Sequence, residues 1–320
     1  MSEPLYQRIL EGDVRAAGRL MRQVDDQIPG ARQQLEALFE HTGNAYIIGF
    51  TGNPGSGKST LVNAFIRECR ERGLSVGVVA VDPTSPFSGG AILGDRIRMQ
   101  EHALDEGVFI RSVATRGNLG GVSRSTPALV QILDAMGFDL IIIETVGVGQ
   151  DEVDIARIAD TNIVVTVPGL GDDIQATKAG ILEIADVFVI NKSDHPGSDR
   201  LRRELKAMLS LAVDRSDEDW TPPIVHTVAT DAEGLTKLFE KIEAHRDWLE
   251  GAGADDSRGA RDRRRIEHLI RLIVSGELDA RLDAAMAAPT WQRHLEGLVA
   301  RRESPYEAAE ELIAAIARKD

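Results

Sequence analysis

The chain has 320 residues, a formal net charge of −14 and a pI near 5.0, a balance that argues against nucleic acid or an anionic membrane surface as its main partner. Hydrophobic residues make up 42%, enough for one large domain with flanking pieces. A single cysteine, Cys69, excludes an internal disulfide, no apolar run is long enough to cross a bilayer, and the start has no signal-peptide pattern, so a soluble cytoplasmic protein is expected.

Residues 1–43 read as a helical extension. Leu5, Ile9 and Leu10 share one face, Leu35, Leu38 and Phe39 another, and Pro29-Gly30 separates the two runs. Residues 46–50 then read as a buried strand and 60–72 as a helix. Between them Gly52-Asn53-Pro54-Gly55-Ser56-Gly57-Lys58-Ser59 fits G-x-x-x-x-G-K-[ST], the phosphate-binding loop, with Thr60 next in line. Such a loop turns backbone N–H groups and a helix N-terminus onto phosphate oxygens. Lys58 would reach the outer phosphates, and the Ser59 hydroxyl would ligate Mg²⁺.

Residues 75–82 form an apolar run ending on Asp82, placed by the open-sheet rule to face a nucleotide. The 83–95 loop that follows, rich in glycine and proline, reads as a nucleotide-sensing switch. Asp95 is then a second Mg²⁺ candidate, or the N-cap of a helix over 96–102, or both. Another strand is expected at 108–113, a loop at 116–121 and a helix at 123–136.

Asp139-Leu-Ile-Ile-Ile-Glu144 has the pattern of a central strand delivering an acid to the Mg²⁺ side. Gly147 stands where a backbone N–H can sense a γ-phosphate. Val148 follows it where Ras-type enzymes place a water-orienting glutamine, and Gln150 is at another offset, so slow hydrolysis without a partner is expected. Lys58, Asp82, Glu144 and Gly147 are thus the candidate catalytic residues, and Ser59, Asp82, Asp95 and Glu144 the candidate Mg²⁺ set.

Strands at 162–167 and 187–190 bracket a glycine-rich loop and a helix over 174–185. The second strand runs into Asn191-Lys192-Ser193-Asp194, matching N-K-x-D. The Asp194 carboxylate can accept from guanine N1–H and its amino group, whereas adenine would oppose an acceptor to it. The Lys192 stem can cover the base, and Asn191 can tie the base loop to the phosphate loop. GTP and GDP are the expected ligands.

A last strand over 224–228 and a helix over 234–249 close the nucleotide domain, and 251–259 reads as a polar hinge. Beyond it, Arg261-Asp-Arg-Arg-Arg265 reads as a solvated helix face. Ile266, Leu269, Ile270 and Ile273 form one apolar stripe, and Tyr306, Ala309, Leu312, Ile313 and Ile316 another, behind a helix start at Ser304-Pro305-Tyr306-Glu307. These stripes bury either against the domain or in a dimer interface.

The expected fold is therefore α/β, a mostly parallel sheet flanked by helices with helical extensions at both ends. Its divisions are 1–43, a P-loop domain over 44–250, and a C-terminal helical segment over 251–320 that could serve as a dimerisation arm.

The assembled motifs resemble the MeaB/ArgK family of GTPases associated with methylmalonyl-CoA mutase. The resemblance rests on Gly49-Phe-Thr-Gly-Asn-Pro-Gly-Ser-Gly-Lys-Ser-Thr60, Val79-Ala-Val-Asp-Pro-Thr-Ser-Pro-Phe-Ser-Gly-Gly-Ala-Ile-Leu-Gly-Asp-Arg96, Thr115-Arg-Gly-Asn-Leu-Gly-Gly121, Ile143-Glu-Thr-Val-Gly-Val-Gly-Gln150 and Asn191-Lys-Ser-Asp194. Ser56 stands where the family commonly has a small apolar residue, and Ser193 where it often has alanine. The resemblance implies a SIMIBI-class G protein that gates cofactor loading of an adenosylcobalamin-dependent acyl-CoA mutase and protects it, as a homodimer. It also implies that Lys58, Ser59, Asp82, Asp95 and Glu144 serve phosphate and Mg²⁺, and that the loop 168–178, including Lys178, is a further switch. Two other readings stand beside it: a metal-insertion GTPase, which a metal-binding assay beyond Mg²⁺ would decide, and a transport-system kinase, which would require phosphoryl transfer to protein.

Overall fold

The structure is a computed structural model that describes residues 3–82, 100–102, 104–115, 122–145, 153–169, 183–211, 219–251 and 257–317. The expectations for Asp95, Gly147, Val148, Gln150, Lys178 and the loops at 83–95 and 116–121 lie outside these residues. Of the helix expected over 96–102, the described part is a 3₁₀ turn at Gln100–His102.

Among the described residues seven apolar runs become strands: β1 (Tyr46–Gly52), β2 (Val76–Asp82), β3 (Val108–Ala114), β4 (Leu140–Glu144), β5 (Thr161–Thr166), β6 (Val187–Ile190) and β7 (Ile224–His226). They form one parallel sheet in the order β3-β2-β4-β1-β5-β6-β7. In β1, β2, β4 and β6 every residue is buried, as a parallel sheet covered on both faces requires. Residue alternation divides the core. Tyr46, Ile48 and Phe50 pack on one face with Leu61, Phe65 and Phe239. Ile47 packs on the other with Val79, Ile141 and Ile143.

The first helices are α1 (Leu5–Leu10), α2 (Val14–Asp25) and α3 (Ala31–Phe39). Their buried residues Ile9, Leu20, Met21 and Leu38 join the cluster that contains Ile47. Phe39 departs from its expected face and is half exposed. The chain then passes α4 (Lys58–Glu71), α5 (Thr126–Ala135), the short α6 (Val153–Ala156), α7 (Ser198–Leu211) and α8 (Leu235–Gly251). The Asp134 carboxylate of α5 accepts from the N–H groups of Gly43, Asn44 and Ala45 at 2.6, 3.1 and 2.9 Å, fixing the entry into β1.

Two compact units emerge, 1–264 and 265–320. The first contains the sheet and the opening turns of α9 (Arg258–Ala287). There Arg261 departs from the expected solvated face: its guanidinium forms a bidentate pair with Asp186 at 2.8 and 3.0 Å. The second holds the rest of α9, α10 (Pro289–Val299) and α11 (Pro305–Ala317). The Ser304 hydroxyl accepts from Tyr306 N at the start of α11, at 3.3 Å. Within this unit Leu278, Leu282, Leu312, Ile313 and Ile316 line an apolar cleft, and Ile270, Ile273, Tyr306 and Ile313 are more than half exposed. Among the described residues no helix is long and apolar enough to cross a membrane.

Candidate functional site

The sheet order places β1 between β4 and β5, with connections leaving to opposite sides, which is where an open α/β sheet gathers ligands at its carboxyl edge. The 52–59 loop sits at that edge. Gly57 is held at φ +84°, and an added Cβ would lie 2.5 Å from Asn191 Nδ2, so only glycine fits. Pro54 and Gly55 are exposed, Asn53, Gly57 and Thr60 half-buried, and Gly52 and Ser56 buried.

Lys58 opens α4, and its ammonium donates across the loop to Gly52 O at 2.6 Å and Asn53 O at 3.2 Å. The next residue faces the acids. Ser59 Oγ donates to Glu144 Oε1 at 2.6 Å, a short charge-assisted bond joining α4 to the end of β4. Glu144 is 3% exposed and Asp82, which ends β2, is 2% exposed. The β2–β4 register pairs Ala80 with Glu144, which puts both acids at the same edge of neighbouring strands. Among the described residues no three His, Cys, Asp or Glu side chains form a self-sufficient metal cage. A hydroxyl beside buried carboxylates is instead a set of hard oxygens, which suits a Mg²⁺ whose remaining ligands are phosphate oxygens and water.

The base side is built from β6. Asn191 N donates to Thr166 O at 2.8 Å, and its amide Nδ2 donates to Ser56 O at 2.9 Å. Its Oδ1 accepts from Thr227 Oγ1 and Ala229 N, both at 3.2 Å. Lys192 adopts φ +52° and donates from Nζ to Gly55 O at 3.0 Å. Asp194 is exposed, with His195 Nε2 3.7 Å from its Oδ2. One amide thus connects phosphate loop, base loop and the segment after β7. Sequence reasoning missed the Thr227 hydroxyl. No spacing rule marks it, because its partner is 36 residues away.

Comparison with known proteins adds a relationship to this geometry. The family model described as methylmalonyl Co-A mutase-associated GTPase MeaB matches residues 17–287. The chain belongs to that family. A Pyrococcus abyssi relative is 48% identical over 314 residues, covering 98% of this chain and 96% of its own. The Escherichia coli GTPase ArgK is 37% identical over 253 residues, covering 77% of this chain and 76% of its own. Among solved structures, one described as LAO/AO transport system kinase is similar at a TM-score of 0.69 with 26% identity, covering 98% of this chain and 97% of that one. As a MeaB-family member the chain is a GTPase of the phosphate-binding-loop class.

Proposed function

We propose that this protein binds GTP with Mg²⁺ and uses its hydrolysis to act as a chaperone of an adenosylcobalamin-dependent acyl-CoA mutase, gating cofactor loading and protecting the mutase. The observation that carries the nucleotide part is the Asn191 amide on Ser56 O at 2.9 Å, which joins a triphosphate-binding loop to a guanine-reading loop. The mutase part is supported by the family description.

In this reading the N–H groups of 52–59 and the α4 N-terminus hold the phosphates, with Lys58 turning from loop carbonyls to the outer phosphate oxygens. Ser59, Asp82 and Glu144 hold Mg²⁺, joined by Asp95, and Gly147 reports the γ-phosphate. When bound, the ion would neutralise charge developing on the transferred phosphoryl oxygens. Asp194 accepts from the guanine edge, while Lys192 covers the base plane. Hydrolysis by the isolated protein is slow because Val148 supplies no water-orienting amide, and a partner completes the site. The exposed apolar residues Ile270, Ile273, Tyr306 and Ile313 of the second unit support a homodimer. The protein works in the cytoplasm.

The test is GTP turnover by the purified chain, alone and with an adenosylcobalamin-dependent mutase. A rise of about 10³-fold is what completion of such a site in trans can supply. No rise and no complex on size exclusion would remove the mutase from the proposal while leaving the nucleotide site to its own binding assay.

A further inference from the structure

The opposite edge of the sheet holds a second polar assembly that the nucleotide site does not use. Asp186 immediately precedes β6, with 7% of its surface exposed, and each of its polar groups is engaged. Its Oδ1 meets Arg261 Nη2 at 2.8 Å and lies 3.2 Å from His245 Nε2. Its Oδ2 accepts from Arg261 Nη1 at 3.0 Å and from Asn162 N and Nδ2 at 2.7 and 3.1 Å. Its backbone N–H donates to Asn162 O, and its carbonyl accepts from Trp220 Nε1 at 2.7 Å. Arg261 Nη1 also donates to Asp160 O at 2.6 Å, and the Asp160 carboxylate accepts from Ile47 N on β1 at 2.8 Å. Burial alone would push the Asp186 carboxyl up, but the adjacent His245 ring and the hydrogen-bonded, charged Arg261 guanidinium hold it well below the ordinary carboxylate range.

β6 has four residues, roughly 13 Å of strand. Asp186 clamps its start, and Asn191 is clamped just past its end by Thr166, Ser56, Thr227 and Ala229. β6 is paired with β5 on one side and β7 on the other and is buried throughout, so it moves as one short, stiff link between the two polar clusters at its ends. Whatever fixes its first residue therefore also fixes the approach to Asn191-Lys192-Ser193-Asp194.

We infer that Arg261 is a positioning residue for guanine recognition: by holding Asp186 bidentately it anchors the start of β6, and through that stiff strand the position of the Asp194 carboxylate against the purine edge. The inference rests on the guanine-nucleotide reading above and assigns the strength of base discrimination to a side chain on the far side of the sheet. Asp194 would accept two hydrogen bonds from guanine and one from hypoxanthine, which lacks the exocyclic amino group. Discrimination between the two reports where that carboxylate sits.

The experiment measures dissociation constants of GDP, IDP and ADP for the full chain, as wild type, Arg261→Met, Arg261→Lys and the double variant Asp186→Asn/Arg261→Met, each with a thermal melt. Wild type should prefer GDP over IDP by roughly 10- to 100-fold, the value of one hydrogen bond to a charged group. In Arg261→Met that ratio should collapse to within about threefold as the second bond is lost. Arg261→Lys, which keeps the charge but not the planar fork, should fall between. A purely structural role would weaken GDP and IDP together and leave their ratio intact. If Arg261→Met does not fold with Asp186 left charged, the double variant, which removes that charge, should show the same collapse. A folded variant that keeps the wild-type ratio overturns the inference. Wild type with no preference for GDP over ADP overturns the guanine reading and this inference with it.

Discussion

Ser56→Ala should stabilise the protein without weakening nucleotide binding. Ser56 is 0% exposed, and its Oγ is buried without a hydrogen-bond partner among the described residues, although the residue's own carbonyl accepts from Asn191. A buried hydroxyl that makes no bond loses its hydration for nothing, at a cost of about 1–3 kcal/mol. Alanine removes that cost, keeps the carbonyl, and leaves a gap of one oxygen atom, whose lost contacts offset a few tenths of a kcal/mol. The net gain is about 1 kcal/mol, which in a unit of this size raises Tm by roughly 2–4 °C. Calorimetry on the nucleotide-free chain reads it, with GDP affinity measured in parallel. A variant that melts lower by 2 °C or more, or that binds GDP several-fold more weakly, would refute the reasoning, because either result requires the hydroxyl to have a partner.

Gly57→Ala should reduce GDP affinity roughly 30-fold or more, since a side chain at φ +84° beside Asn191 adds about 1–2 kcal/mol of backbone strain and displaces a hydrogen bond of similar worth; equilibrium titration checks this. Burial pushes the Cys69 thiol up to about 12, so the native protein should resist Ellman's reagent at pH 8 and release one equivalent only when unfolded in urea. Acid titration tests the rear clamp. The folded Asp186 carboxyl lies below the ordinary carboxylate value of 3.8, so its contribution is complete above that value and is lost as pH falls below it. Urea midpoints should drop from pH 5 to pH 3, and Asp186→Asn should flatten that drop.

Much of this molecule was legible in its sequence because its informative patterns are local. Parallel strands buried on both faces leave continuous apolar runs, which is why 46–50, 75–82 and 187–190 could be placed without an alignment. The phosphate loop and N-K-x-D are likewise fixed spacings within eight residues. What escaped depends on pairs far apart in the chain. Arg261 sits in an arginine-rich run that local reasoning assigns to solvent, and only the fold brings Asp186 to it across 75 residues. β7 stops at His226 rather than 228 because Thr227 and Val228 turn to serve Asn191 and Glu233. The helix Ser198–Leu211 was missed although Leu201 and Leu205 recur at helical spacing and are buried. Its stripe is narrow, and the charged residues around it resemble a linker. At the C-terminal end the apolar stripes were visible, but half of each faces outward in the single chain, so periodicity alone could not name what covers them.

The clamp around β6 also dictates an order of assembly during synthesis. The phosphate loop leaves the ribosome early, yet β1 has no strand neighbour until β4 and β5 are made. The amide that secures the loop lies 135 residues downstream of Ser56, and Arg261 is later still. At about 5–20 residues per second, those 135 residues take roughly 7–27 s, during which the nascent chain carries a nucleotide loop without its fastening. Over that interval this chain is an open α/β fragment exposed to chaperones, and it becomes a switch only when its last polar fastener is threaded into place.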